Sequence, residues 1–277
     1  MADESGKDNQ ILPSHNVSNR KDQGEEKKAY FDTIRLIDQS IKKRIITPQF
    51  ADLLKSIRTS TFGFPEAHTL KKVQAAIQLK DKLITDEANQ KIVAYIGSGR
   101  DWQFPVALGA RNIDMVDAIF SSDDSVLNLL ESIKEHDANA ELIPGEIKEI
   151  HFGIDIGKGS EKVIVRLHPS DVMEYEPNHL LYGVLEYLGP SKTYLGETSS
   201  VTPNIARKVS QGGFILNFDF NDANLRLSPS QDSGVEKMGF GDFSFLKVVD
   251  IGHLVQQAER SFQNKKVMWE SMPTSTP

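Results

Sequence analysis

Two glycines and one carboxylate carry the clearest chemistry in this sequence. Gly97 and Gly99, with Ser98 between them, follow directly on the apolar run Ile92 to Ile96, and Asp117 ends a second apolar run, Ile113 to Val116. A ligand lying against the backbone favours glycine at such a turn, because a side chain would push it away. Asp117 stands twenty residues after Gly97, at the expected end of the second strand, where a carboxylate can accept both hydroxyls of a ribose. Asp114 lies on the same strand but is offset by three, so it is expected to face the other side. With the free N–H groups of a helix N-terminus, these residues read as a seat for a nucleoside-containing cofactor.

A second group lies in the segment Arg166-Leu167-His168-Pro169-Ser170-Asp171. Arg166 and His168 share strand parity and are expected on one side. His168 and Asp171 are the chosen catalytic candidates, from a wider set that includes His151, Glu174 and Glu197, because a positioned base helps when a nucleophile must lose a proton. The bland alternative for His168 is a surface or capping histidine. No HExxH spacing and no cysteine occur, so no metal site is expected. Gly157-Lys158-Gly159-Ser160 lacks the spacing of a phosphate-binding loop and reads as a turn.

The elements that must position these groups follow from periodicity. Tyr30, Ile34, Ile37, Ile41 and Ile45 recur at helical spacing, Thr47-Pro48 reads as an N-cap with proline at the first helical position, and a third helical pattern runs from about 65 to 84. Residues 1–24 are polar and expected to be loose, 25–90 form a helical appendage, 91–272 form the cofactor-binding domain, and 273–277 a flexible tail. Within that domain, Val126, Leu127, Leu130 and Ile133 mark the buried face of one helix, and residues 141–143 form a short strand. Residues 147–156 and 162–167 are two further strands, joined as a hairpin or by a loop return. Residues 178–188 are expected to be a helix, 192–195 a strand, 203–209 a short helix, 214–218 and 243–249 strands, and 254–269 a terminal helix with a final short strand.

The chain has 277 residues, enough for a substantial core, and a formal net charge of −7 with no long basic block, which argues against general nucleic-acid binding. The polar first residues and the lack of an apolar run near 20 residues predict no export signal and no membrane span. The absence of cysteine fits a reducing compartment, and a cytoplasmic location is expected.

The stretch from Lys91 to Asp117 resembles the first motif of the class I S-adenosylmethionine-dependent methyltransferases, a glycine-rich turn after the first strand and an acid ending the second. The resemblance covers about 130 residues, 91 to about 220, and its specific part is much shorter. It implies a Rossmann-like α/β fold, a doubly wound and mostly parallel sheet, with S-adenosylmethionine as cofactor and a small-molecule methyl acceptor. It carries cofactor binding onto Gly97, Ser98, Gly99 and Asp117, and places adenine contacts near 142–146, at Ile143. Gly213 to Asp219 resembles the family's late strand. The position two before the first glycine, where the family often has an acid, holds Tyr95. That departure sustains a rival reading, a non-catalytic binding or regulatory protein on the same fold. A NAD-dependent oxidoreductase is a third reading. It requires a third glycine where Trp102 stands, although Arg100 could meet a phosphate.

Overall fold

The structure is a computed structural model, which describes residues 18–57, 66–80, 82–85, 90–171, 174–188, 201–219, 234–240 and 243–271. The expected strand at 192–195 lies outside the described residues. Three helices come first: α1 (Ser18–Lys42), α2 (Pro48–Ser56) and α3 (Glu66–Leu79). Helix α1 begins inside the stretch expected to be loose. Its buried stripe is Ala29, Thr33, Ile37 and Ser40, whereas Tyr30 and Ile45 are exposed. Small and hydroxylic residues thus make the contact, which a count of large apolar residues overlooks.

Among the described residues, nine strands form one sheet in the order β3-β4-β5-β2-β1-β6-β7-β9-β8. In chain order they are β1 (Ile92–Ile96), β2 (Asn112–Val116), β3 (Glu141–Ile143), β4 (Lys148–Asp155), β5 (Ser160–His168), β6 (Leu181–Leu188), β7 (Val209–Asp219), β8 (Val235–Phe240) and β9 (Phe243–Val248). The helices among them are α4 (Gln103–Ala107), α5 (Asp123–Lys134), α6 (Pro203–Ala206) and α7 (Ile251–Ser271). The five central strands, β5, β2, β1, β6 and β7, pair in parallel. Both edges are antiparallel: β4 and β3 beyond β5, β9 and β8 beyond β7. The chain grows one way from β1 through β2 to β5, then returns past β1 to lay down β6 and β7. The switch point of the sheet therefore lies between β1 and β6, where ligands of such sheets bind at the carboxyl ends. This is a Rossmann-like, doubly wound sheet with helices on both faces, extended at one edge by the β3–β4 hairpin.

Strand alternation divides the core in two. Val93 and Tyr95 of β1, Ile113 and Met115 of β2, and Val163, Val165 and Leu167 of β5 join one cluster with residues of α1 to α5. The N-terminal helices are continuous with that core through Ile37, Phe50, Leu54, Val73 and Leu79. Ala94 and Ile96 of β1 and Val116 of β2 face the other cluster, covered by Tyr175, by Ile205 and Ala206 of α6, and by Leu254 and Ala258 of α7.

Several expectations are corrected. Residues 178–188 are not a helix: Leu181 to Leu188 form β6, between β1 and β7. A strand covered on both faces is apolar throughout, and a short apolar run has no period by which to tell it from a helix. In α5 the buried residues are Val126, Leu129, Leu130 and Ile133, with Leu127 exposed. The end of the described chain is one helix, Ile251–Ser271, with no final strand, and β8 is a strand that periodicity had not singled out. The hairpin alternative holds for β4 and β5, whose turn contains Gly157 and Gly159 at positive φ.

Candidate cofactor site

The glycine turn leaves β1 at its carboxyl end. Gly97 N–H still donates to Val116 O at 2.9 Å, continuing the β1–β2 pairing, and then the chain turns with Gly97 at φ 64° and Gly99 at φ 54°. Both lie in the left-handed region, where a side chain would be strained. Asp101 N–H closes the turn onto Ser98 O at 3.1 Å, and the short helix α4 follows.

Asp117 sits one residue past β2. Its Oδ2 accepts Gly99 N–H at 2.8 Å and its Oδ1 accepts Ile119 N–H at 3.1 Å, capping the 3-10 turn Ala118–Ser121. The predicted turn and the predicted acid are thus in direct contact. Each carboxylate oxygen has two lone-pair directions, so both oxygens can accept one more donor. Asp117 is half-buried. These residues fit a ribose-bearing cofactor: a half-buried double acceptor stands beside a turn that two glycines hold in the left-handed region.

His168 ends β5 beside this site. Its carbonyl accepts Asp117 N–H at 3.1 Å. Its ring points to the sheet face below, where Asp114 is fully buried. Asp114 Oδ2 accepts Tyr175 OH at 2.6 Å and meets His179 Nε2 at 2.8 Å and His168 Nε2 at 3.3 Å. The His168 Nε2 contact is at ion-pair range but is not a hydrogen bond, and Nε2 is buried. Arg166 Nη1 lies 3.5 Å from Asp114 Oδ1, while its Nε reaches Glu149 at 3.2 Å, and Glu149 meets His151 Nε2 at 2.7 Å. Burial pushes the Asp114 carboxyl up, but the contacts with His168 and His179 and the Tyr175 hydroxyl outweigh it and hold the group well below the usual carboxylate range. Tyr175 is pushed up, first by burial and then by the Asp114 charge.

The location of this cluster explains its composition. The connection from β5 to β6 must cross β2 and β1, yet the described part of residues 169–180 contains no helix, only a turn in which Glu174 and Tyr175 N–H groups bond to Asp171 O. Tyr175 and His179 anchor that irregular crossover to Asp114, and His168 packs edge-on against Tyr175 at 5.0 Å. Sequence parity correctly sets Asp114 apart from Asp117 and Arg166 together with His168. It gives no sign that Tyr175 and His179, more than sixty residues along the chain, converge on Asp114.

Two predicted site residues lie elsewhere. Asp171 is exposed at the start of the crossover. Ile143 is corrected: the strand that carries it is expected to run third in the parallel series, but it is the outermost strand, pairing with Glu149 of β4. Two strands, β4 and β5, separate it from β2, and the third parallel strand is β5, with His168 at its end. Trp102 is fully buried on the other face, edge-on to Phe152 at 5.1 Å and His136 at 5.2 Å, with Nε1 donating to Ser132 Oγ at 3.3 Å. An indole fills the place where a dinucleotide site needs a third glycine.

A cavity of about 70 Å³ lies at the amino ends of β2 and β5, lined by Thr47, Phe50, Lys80, Arg111 and Glu161 among others. It is at the opposite end of the strands from the glycine turn and has room for only a few waters. Among the described residues, no group of three or more His, Cys, Asp or Glu could hold a metal ion, and no helix is long and apolar enough to cross a membrane.

No protein-family model matches the sequence. No curated protein sequence matches it either. Among solved structures, the chain is similar to CalS10, an amino pentose methyltransferase from Micromonospora echinaspora with S-adenosylmethionine bound. The identity is 10%, over 61% of this chain and 56% of that one, with a TM-score of 0.30. It is similar to coclaurine N-methyltransferase bound to N-methylheliamine and S-adenosylhomocysteine, at 12% identity over 74% and 58% of the two chains, TM-score 0.33. The DhpI–SAM–HEP complex is 13% identical over 90% of each chain, TM-score 0.30. The match spans little more than half the length of the first two. At such values the likenesses carry no argument, and the fold assignment rests on the strand order.

Proposed function

We propose that this protein binds S-adenosylmethionine at the carboxyl ends of β1 and β2 and transfers a methyl group to a small-molecule acceptor. The observation that carries the reading is the contact of the left-handed Gly97–Gly99 turn with Asp117, at the carboxyl ends of β1 and β2 and next to the switch point of the sheet. In this reading Gly97 and Gly99 give the cofactor backbone access, Ser98 holds the turn, and Asp117 receives the ribose hydroxyls. The cofactor supplies an electrophilic methyl group on a sulfonium, and the protein contributes orientation and exclusion of water. His168 acts as a positioning residue, since its carbonyl fixes the Asp117 N–H while its ring is held against Asp114 and Tyr175. Asp171, exposed three residues on, is the candidate base for an acceptor that must lose a proton. We take the site to act in a cytoplasmic setting on a small molecule.

Two observations favour a second reading, a binding or regulatory protein without transfer: Tyr95 stands where an acid is expected before the turn, and Asp117 already occupies Gly99 N–H. Calorimetric titration with S-adenosylmethionine and S-adenosylhomocysteine separates the outcomes, with NAD as comparison. Saturable one-site binding of the first two, at least tenfold weaker in Asp117→Ala, supports the site. Absence of binding at millimolar ligand overturns the proposal. Binding without turnover across a panel of acceptors selects the second reading.

A further inference from the structure

Beneath the glycine turn lies a buried charge that the sequence pattern hides. Lys72 of α3, Tyr95 of β1 and Asp101 are each at most 2% exposed. The Lys72 ammonium is ion-paired with Asp101 Oδ2, and the Tyr95 hydroxyl lies 3.1 Å from Lys72 Nζ and 3.2 Å from the same carboxylate oxygen. The ammonium also lies 5.6 Å from the Phe104 ring centroid. Three elements therefore meet at one point: an N-terminal helix, the first strand, and the residue whose N–H closes the turn onto Ser98 O.

We infer that Lys72 is a positioning residue for the glycine turn, so that the N-terminal helices are a working part of the site and not only a cover for the sheet. Burying a lysine and an aspartate costs more than burying two apolar residues of the same volume. Here the cost fixes a geometry. Asp101 has no freedom to move once Lys72 and Tyr95 hold its carboxylate, and its N–H then fixes where the chain turns at Ser98. Tyr95 contributes a hydroxyl at the place where an acid is expected, and the negative charge stands six residues later, at Asp101. The other carboxylate oxygen, Oδ1, is buried without a hydrogen-bond partner, so Lys72 is the principal compensation for this charge in the structure.

The inference rests on the cofactor reading for its purpose, but its test does not. Amide hydrogen exchange of Gly97, Ser98 and Gly99 is measured without ligand in the wild type, Lys72→Met, Lys72→Met/Asp101→Asn and Lys71→Met. The last variant removes the same charge from the neighbouring position. The expected result is at least tenfold faster exchange at these three amides in both Lys72 variants, with amides of β2 and β5 unchanged and Lys71→Met like the wild type. The double variant leaves no uncompensated charge and keeps the test open if the single variant does not fold. S-adenosylmethionine affinity, measured alongside, should fall by at least tenfold with Lys72→Met. Unchanged exchange at Gly97 and Gly99, or acceleration spread evenly over the core, overturns the inference. If the wild type binds no S-adenosylmethionine, the cofactor reading fails, and the exchange data still decide the role of Lys72.

Discussion

Asp101 and Asp114 are both buried carboxylates within one sheet domain, yet they are compensated in opposite ways. Asp101, on the face that carries α1 to α5, is held by one lysine and one phenol. Asp114, on the face of α6 and α7, gathers two imidazoles, a phenol and a guanidinium. One carboxylate is thus compensated by a single ion pair and a hydroxyl, the other by contacts spread over four side chains. The first cluster pins a turn beside the proposed cofactor site. The second pins a crossover whose described residues form no helix. The difference shows how a sheet can carry one support built on a single ion pair and one spread over several side chains close to the same end.

The largest effects should come from removing one partner of each cluster. Asp114→Ala leaves Arg166, Tyr175 and the two histidines around a void, and Lys72→Met leaves Asp101 buried with only Tyr95. Each should cost about 3–5 kcal/mol in urea unfolding, the range for breaking a buried pair from one side. Lys72→Met/Asp101→Asn should recover at least half of the Lys72→Met loss. If both single variants cost under about 1 kcal/mol, the two clusters are equivalent to surface pairs and the comparison breaks.

A pH series sharpens it. The folded Asp114 carboxyl lies below its ordinary value of 3.8, so its stabilisation is fully present above that value and fades as the pH falls further toward the folded one. The gap in stability between wild type and Asp114→Asn should therefore be constant from pH 8 to about pH 5 on this account and shrink below about pH 4. A gap that grows on acidification contradicts the sign of the shift. Tyr175→Phe should have a smaller effect, about 1.5–3 kcal/mol, for a hydrogen bond to a charged group. It should also loosen the crossover, which limited proteolysis would detect as cleavage near 169–180.

How much of this was legible in the sequence differs between the two clusters for a physical reason. The turn, the terminal acid and the parity of Asp114, Arg166 and His168 depend on local spacing, and period-two alternation carries them. The identity of Lys72 as a core residue does not: a lysine inside a helical pattern reads as solvent-facing, and its partner lies 29 residues away. Tyr175 and His179 are equally silent, because an irregular crossover has no period. The same limit explains β6, where burial on both faces removes alternation. It also explains Ile143, where a short strand before the hairpin was counted into a parallel series that resumes only at β5.

Thr47 supplies the mildest test, because it ties elements together with no charge at all. Its Oγ1 accepts Phe50 N–H at 3.1 Å as the N-cap of α2 and donates to Ile156 O at 2.7 Å, joining the helix to the β4–β5 turn. Losing a cap of this kind costs about 1 kcal/mol, so Thr47→Ala should lower stability by about that amount. No titrating group takes part in either hydrogen bond, so its loss should be the same at about pH 4 and at about pH 8. A pH-dependent stability gap seen for Asp114→Asn and not for Thr47→Ala would then belong to the buried carboxylate. A similar pH dependence in Thr47→Ala would show that it arises from the fold as a whole, and the assignment of the acid response to the Asp114 cluster would have to be abandoned.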